Sequence, residues 1–146
     1  MNRPILACIL LSALAPLHAE PVFANFPLTA SRTLSTSDRI LARAFKTKTS
    51  GFMVKLQGTV IRKLPDDIDG SRHQRFIVRL NSGQTLLIAH NIQLAPRLSI
   101  LNTNNAVTIY GEYIWNAQGG IIHQTHHRPD GSKGGGWIRY KGVIYQ

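Results

Sequence analysis

The chain has 146 residues, 17 Lys and Arg against 7 Asp and Glu, a formal net charge of +10 and one cysteine. A lone cysteine excludes a disulfide framework and Cys-based zinc sites, and the length suits one hydrophobic core better than several domains. The positive balance favours polyanionic partners: nucleic acid, lipopolysaccharide or an anionic membrane.

Residues 1–19 read as a secretory signal peptide. Arg3 supplies the positive n-region, Ile5 to Leu17 the apolar h-region, and Leu17-His18-Ala19 a small residue for cleavage before Glu20. The run is shorter than the roughly 20 residues a membrane span needs, so the expectation is an exported protein, periplasmic or secreted, with no transmembrane segment in the mature chain. Cleavage removes Cys8, and with it any cysteine nucleophile. Residues 20–36, with Pro21, Pro27 and no clear period, read as an irregular N-terminal arm.

A single domain is expected over 37–146. Ser37-Asp38-Arg39 opens a short helix with Ser35 or Ser37 as N-cap; Ile40, Leu41, Ala44 and Phe45 form its apolar face and Gly51 its stop. Arg39, Arg43, Lys46 and Lys48 make a solvated face. After Gly51 the period changes to two. Val54, Leu56, Gly58 and Val60 alternate with Lys55, Gln57, Thr59 and Ile61 in a long first strand with a central glycine.

Leu64 to Ser71 is a turn-rich loop holding Asp66, Asp67 and Asp69. His73 to Leu80 is the second strand, and Asn81-Ser82-Gly83 turns into the third, Gln84 to His90. A connector with Pro96 follows. The fourth strand runs near Ala106 to Trp115, and Asn116 to Gly120 turns into the fifth, Ile121 to about His126. A Gly-rich loop, Gly131 to Gly136, precedes a last extended piece, Trp137 to Tyr145.

Five successive strands in so short a chain are most economically closed into a barrel, because closure removes unpaired edges. The order of elements fits a mainly β, OB-like five-stranded barrel with a short N-terminal helix. An SH3-like barrel or a sandwich also accommodates it.

Three of the six histidines, His123, His126 and His127, fall within five positions. Imidazole suits proton transfer near neutral pH and metal ligation. On a strand, His123 and His127 would stand about 13 Å apart, too far for one metal with bonds to nitrogen of about 2.0–2.1 Å. A metal would need partners such as His73, His90, Glu112 or the Asp66/Asp67 loop. Without one, two imidazoles flanked by Arg75 or Arg128 can serve as acid and base on a phosphodiester.

His73 and Arg75 share one strand face, a pair suited to an anion. Glu112 is a lone carboxylate on its strand, a partner for a strand-two arginine or a catalytic group. His90, at a strand end, is read as bonding to backbone. Tyr110, Tyr113, Trp115, Trp137 and Tyr140 either fill the barrel or stack bases.

These same segments carry a resemblance. Leu64-Pro65-Asp66-Asp67, His73-Gln74-Arg75-Phe76, Gly83 to Asn91, Gly111-Glu112-Tyr113, Gly119-Gly120 with His123 to His127, Gly136-Trp137 and Tyr145-Gln146 are similar to a bacterial family called domain of unknown function 3465, from about Gly58 to the C-terminus. That family implies no reaction and no catalytic residues. Its pattern commonly has Trp at the position of Gln124 and Asp at that of Arg128, so this chain loses a ring and a carboxylate there and gains a cation.

The candidate catalytic residues are thus His73, Glu112 and His123, and the candidate binding residues Arg75, Arg79, His126, His127 and Arg128. No metal or cofactor is assigned. The leading function is binding of nucleic acid or another polyanion, with Arg75, Arg79 and Arg128 neutralising phosphates. The alternatives are a small phosphodiesterase or nuclease using His123 and His73, and a module that binds or inhibits a partner protein.

Overall fold

The computed structural model describes residues 33–132 and 134–146. The expected signal peptide, Cys8 and most of the expected arm lie outside the described residues.

Helix α1 spans Thr36–Thr47 and opens on Ser35, whose hydroxyl accepts from the Asp38 amide at 3.0 Å. It ends at Lys48, which takes the left-handed conformation (φ 55), three residues before the expected stop at Gly51. The buried stripe is narrower than the sequence implied. Leu41 and Ala44 enter the core, whereas Ile40 and Phe45 stay 45% and 37% exposed. The residue that joins the buried stripe is Asp38. Its carboxylate accepts from the Ser82 amide at 3.0 Å and so ties α1 to the turn between strands two and three.

Strand β1 (Phe52–Lys63) pairs first with β4 (Ala106–Ile114), over Phe52–Thr59, and then with β2 (His73–Arg79) from Thr59 onward. One strand can serve two neighbours only if it coils. Gly58 sits at the changeover, where a Cβ would come within 3.1 Å of the Arg79 carbonyl oxygen and 3.2 Å of Val78 Cβ. A register shift between Val60 and Arg62 adds to the bend. β2 pairs with β3 (Thr85–Asn91), β3 runs parallel to β5 (Ile121–His123), and β5 returns antiparallel to β4. The order β1-β2-β3-β5-β4 therefore closes on β1, and the barrel is OB-like as expected.

Leu56, Phe76, Val78, Leu86, Ile88, Ile109, Tyr113 and Ile122 fill its interior. α1 lies over the end where the β2–β3 and β4–β5 turns emerge. The connector between β3 and β4 brings Ala95, Leu98 and Leu101 into buried positions. Gln74, itself buried, holds that connector with both ends of its amide: Nε2 donates to the Leu98 carbonyl at 3.0 Å and Oε1 accepts from the Leu98 amide at 2.9 Å.

Two expectations at the C-terminal end are corrected. β5 ends at His123 and not near His126, because Gln124 turns left-handed (φ 50) and Thr125 points into the core. The last piece is a hairpin, β6 (Trp137–Tyr140) and β7 (Val143–Tyr145), and not one extended segment. Lys141 and Gly142 both have positive φ, 48 and 81, the requirement of a two-residue type I′ turn. β6 pairs with β4 over Thr108–Tyr110, next to the stretch where β4 pairs with β5.

Candidate functional site

Alternation along the strands sends every second residue outward, and register then lines those residues up across strands. On the outer face, Met53 opposes Glu112 and Glu112 opposes His123. The next outward row is Lys55, Tyr110 and Trp137, and the one beyond is Gln57, Thr108 and Arg139. The Tyr110 and Trp137 rings lie 6.2 Å apart by centroid. Lys55 Nζ stands 5.8 Å from the Trp137 ring centre and Arg139 Cζ 5.4 Å from it, within cation–π range.

In the first row Glu112 Oε2 lies 3.1 Å from His123 Nε2. The approach is off the hydrogen-bond axis, and Nε2, buried, has no other partner among the described residues. The imidazole as a whole remains 36% exposed. Beside this pair opens a cleft of about 720 Å³ lined by Gly51, Met53, Glu112, Gln124, His126, Arg128, Pro129, Asp130 and Gly135.

The cleft exists because the chain leaves β5 in a tight path. Thr125 turns inward and its hydroxyl meets His90 Nδ1 at 2.8 Å. Gly136 allows the return, since a Cβ there would overlap the carbonyl oxygens of Gln124 and Tyr110. His126 Nδ1 donates to the His127 carbonyl at 2.6 Å, which leaves Nε2 as the nitrogen not used by that bond.

The structure gathers some of the sequence candidates and separates others. Glu112, His126 and Arg128 line the cleft, and His123 touches Glu112. His73 sits at the start of β2, opposite Asn91, with Nδ1 2.7 Å from the Ser71 carbonyl. Arg75 donates to the Pro65 carbonyl at 3.0 Å and stands 3.9 Å from Asp67. Glu112 is therefore partnered by a histidine, and the strand-two arginine expected beside it is engaged elsewhere. Arg79 is exposed at the far end of β2, opposite Thr85, and His127 is exposed outside the cleft lining.

Two other groups sort equally clearly. Asp66 is gripped by Arg97 through two bonds, 2.6 and 3.0 Å, and that guanidinium holds its carboxyl below the usual range. Among the described residues no three His, Cys, Asp or Glu side chains form a metal cage. Of the five aromatic residues weighed for stacking, Tyr113 and Tyr140 are buried, and Trp115 packs on Phe45 and donates to its carbonyl at 3.1 Å. Tyr110 and Trp137 remain half-buried on the outer face.

Sequence reasoning missed Met53, Lys55 and Arg139 as site residues. Alternation in β1 marked Lys55 as outward, but only cross-strand register brings it beside Trp137.

A family model described as protein of unknown function (DUF3465) matches residues 24–146. No curated protein matches the chain.

Proposed function

The chain belongs to the DUF3465 family of proteins of unknown function, and from its own residues we propose that it binds single-stranded nucleic acid across the outer face of β1, β4 and β6. One observation carries this reading: a row of two half-exposed aromatic rings, Tyr110 and Trp137, is flanked by the exposed cations Lys55 and Arg139. Bases stack on such rings whatever their sequence, while neighbouring cations neutralise phosphates. Arg128 at the adjoining cleft extends the cationic track, and the formal charge of +10 steers a polyanion toward it.

Fluorescence anisotropy with labelled DNA and RNA oligonucleotides tests the proposal. Trp137→Ala should weaken binding by about 1–3 kcal/mol, the worth of one stacked base. Undiminished binding by that variant, or no binding by the wild-type protein at low salt, would sink it. The Glu112–His123 contact favours a second reading, in which a phosphodiester is cleaved in the adjoining cleft.

A further inference from the structure

We propose that the cleft beside the aromatic row cleaves RNA by internal transphosphorylation, with His123 as general base and His126 as general acid. The proposal deepens the cleavage reading and rests on it.

Glu112 faces His123 across β4 and β5, its Oε2 3.1 Å from Nε2, a buried nitrogen with no other partner among the described residues. A carboxylate there, once turned onto the hydrogen-bond axis, would hold the ring proton on Nε2 and leave the lone pair on Nδ1 of a ring that is partly exposed. Contacts of this kind are often misaligned in a free enzyme and tighten when substrate binds. His126 and Arg128 line the same cleft as Glu112, and His123, not itself a lining residue, adjoins it through Glu112, which it touches, and through its chain neighbour Gln124. His126 already uses Nδ1 on a carbonyl, so Nε2 is the position from which the protonated ring donates.

This set provides a base, an acid and a cation, and RNA supplies the missing nucleophile, its own 2′-hydroxyl. His123 Nδ1 takes the 2′-OH proton as the 2′-oxygen bonds to phosphorus. The bond from phosphorus to the 5′-oxygen breaks, and that oxygen takes the proton from His126. The products are a 2′,3′-cyclic phosphate end and a 5′-hydroxyl end, and proton exchange with water resets the two rings. Arg128 offsets charge on the phosphoryl oxygens. The row Met53–Glu112–His123 lies one pleat, about 7 Å, from the row Lys55–Tyr110–Trp137. A base held on Trp137 thus places a neighbouring phosphate at the cleft. Glu112 touches no reacting atom and is a positioning residue.

The test uses the purified protein in EDTA with three labelled oligonucleotides: RNA, the same RNA carrying a single 2′-deoxy nucleotide, and DNA. Binding is read by anisotropy and cleavage on a denaturing gel. Expected are RNA fragments ending in cyclic phosphate, protection at the 2′-deoxy position and intact DNA. His123→Gln and His126→Gln should each lower the rate by about 10²- to 10⁴-fold, with circular dichroism confirming that they fold. Glu112→Gln should lower kcat and alter the pH–rate profile while KM holds, and Glu112→Asp should restore part of the loss.

RNA that is bound but left intact would overturn this inference and leave nucleic-acid binding standing. Cutting at the deoxy position, or a His123→Gln protein as active as wild type, would also overturn it. Neither binding nor cutting at low salt would remove both readings together.

Discussion

His90 shows how much a side chain's role depends on what surrounds it. The ring is wholly buried, with Nε2 3.0 Å from the Pro96 carbonyl and Nδ1 2.8 Å from the Thr125 hydroxyl. A carbonyl can only accept, so Nε2 carries the proton and Thr125 donates to Nδ1. Burial pushes this imidazole below its usual value of 6.5, only partly offset by the bond to Pro96, and His126 and His73 push it the same way. The unfolded chain therefore takes up the proton more readily than the folded one. Stability from this residue is complete above about pH 6.5 and is lost as pH falls through 6.5 toward the lower folded-state value. The wild-type Tm should fall between pH 7.5 and pH 5. In His90→Gln the fall should shrink, on a protein already about 1–3 kcal/mol less stable from the disturbed buried partners. His127→Gln, at an exposed position, should keep the wild-type fall. Thermal melts across that range decide it, and equal slopes in all three proteins would refute the assignment. The sequence marked His90 as a backbone-bonding histidine and His123 as a functional one. It could not say which nitrogen of either ring met which partner, because Glu112 and Thr125 lie 11 and 35 positions away and Pro96 arrives through a turn.

At the scale of elements, β4 organises the site. It pairs with β1 along one edge and divides the other between β5 and β6, so Glu112 meets His123 while Tyr110 meets Trp137. That division requires β5 to approach closely at Gly111. A Cβ there would lie 2.6 Å from the His123 carbonyl oxygen and 2.7 Å from Ile122 Cγ2. Gly111→Ala should accordingly cost about 1–3 kcal/mol, the range for forcing an extra carbon into a packed site. It should also displace His123 from Glu112. Urea denaturation measures the first effect, and an unchanged midpoint would show that β5 gives way freely. Strand and helix ends were largely legible, because period and punctuation are local. The exceptions have a common cause: the left-handed turns at Gln124 and Lys141 are taken by residues that seldom adopt positive φ, so neither announces itself in the sequence. The tether from Asp38 to Ser82 spans 44 positions, and no local pattern encodes it.

For the whole molecule, charge and topology act together. If Lys55, Arg139 and Arg128 each neutralise one phosphate of a single strand, log K against log salt should slope by about −2, at roughly −0.7 per contact. Arg139→Ala should make the slope shallower by one contact, whatever the oligonucleotide sequence. A slope near zero would mean that these cations do not meet phosphate. The sequence by itself determined a mainly β fold and the order of its strands, with an OB-like barrel as the arrangement that best suited them. Alternating strands of the right number and order leave few ways to bury their apolar faces in one core. The tertiary structure decided which candidates share a place. It set Glu112 against His123, gave Arg75 to Asp67, buried Tyr113 and Tyr140, and left Tyr110 and Trp137 outside with Lys55 and Arg139. The physical reason is register. Side-chain period fixes which face a residue takes, whereas the neighbour it finds on that face depends on pairings between strands far apart in the chain.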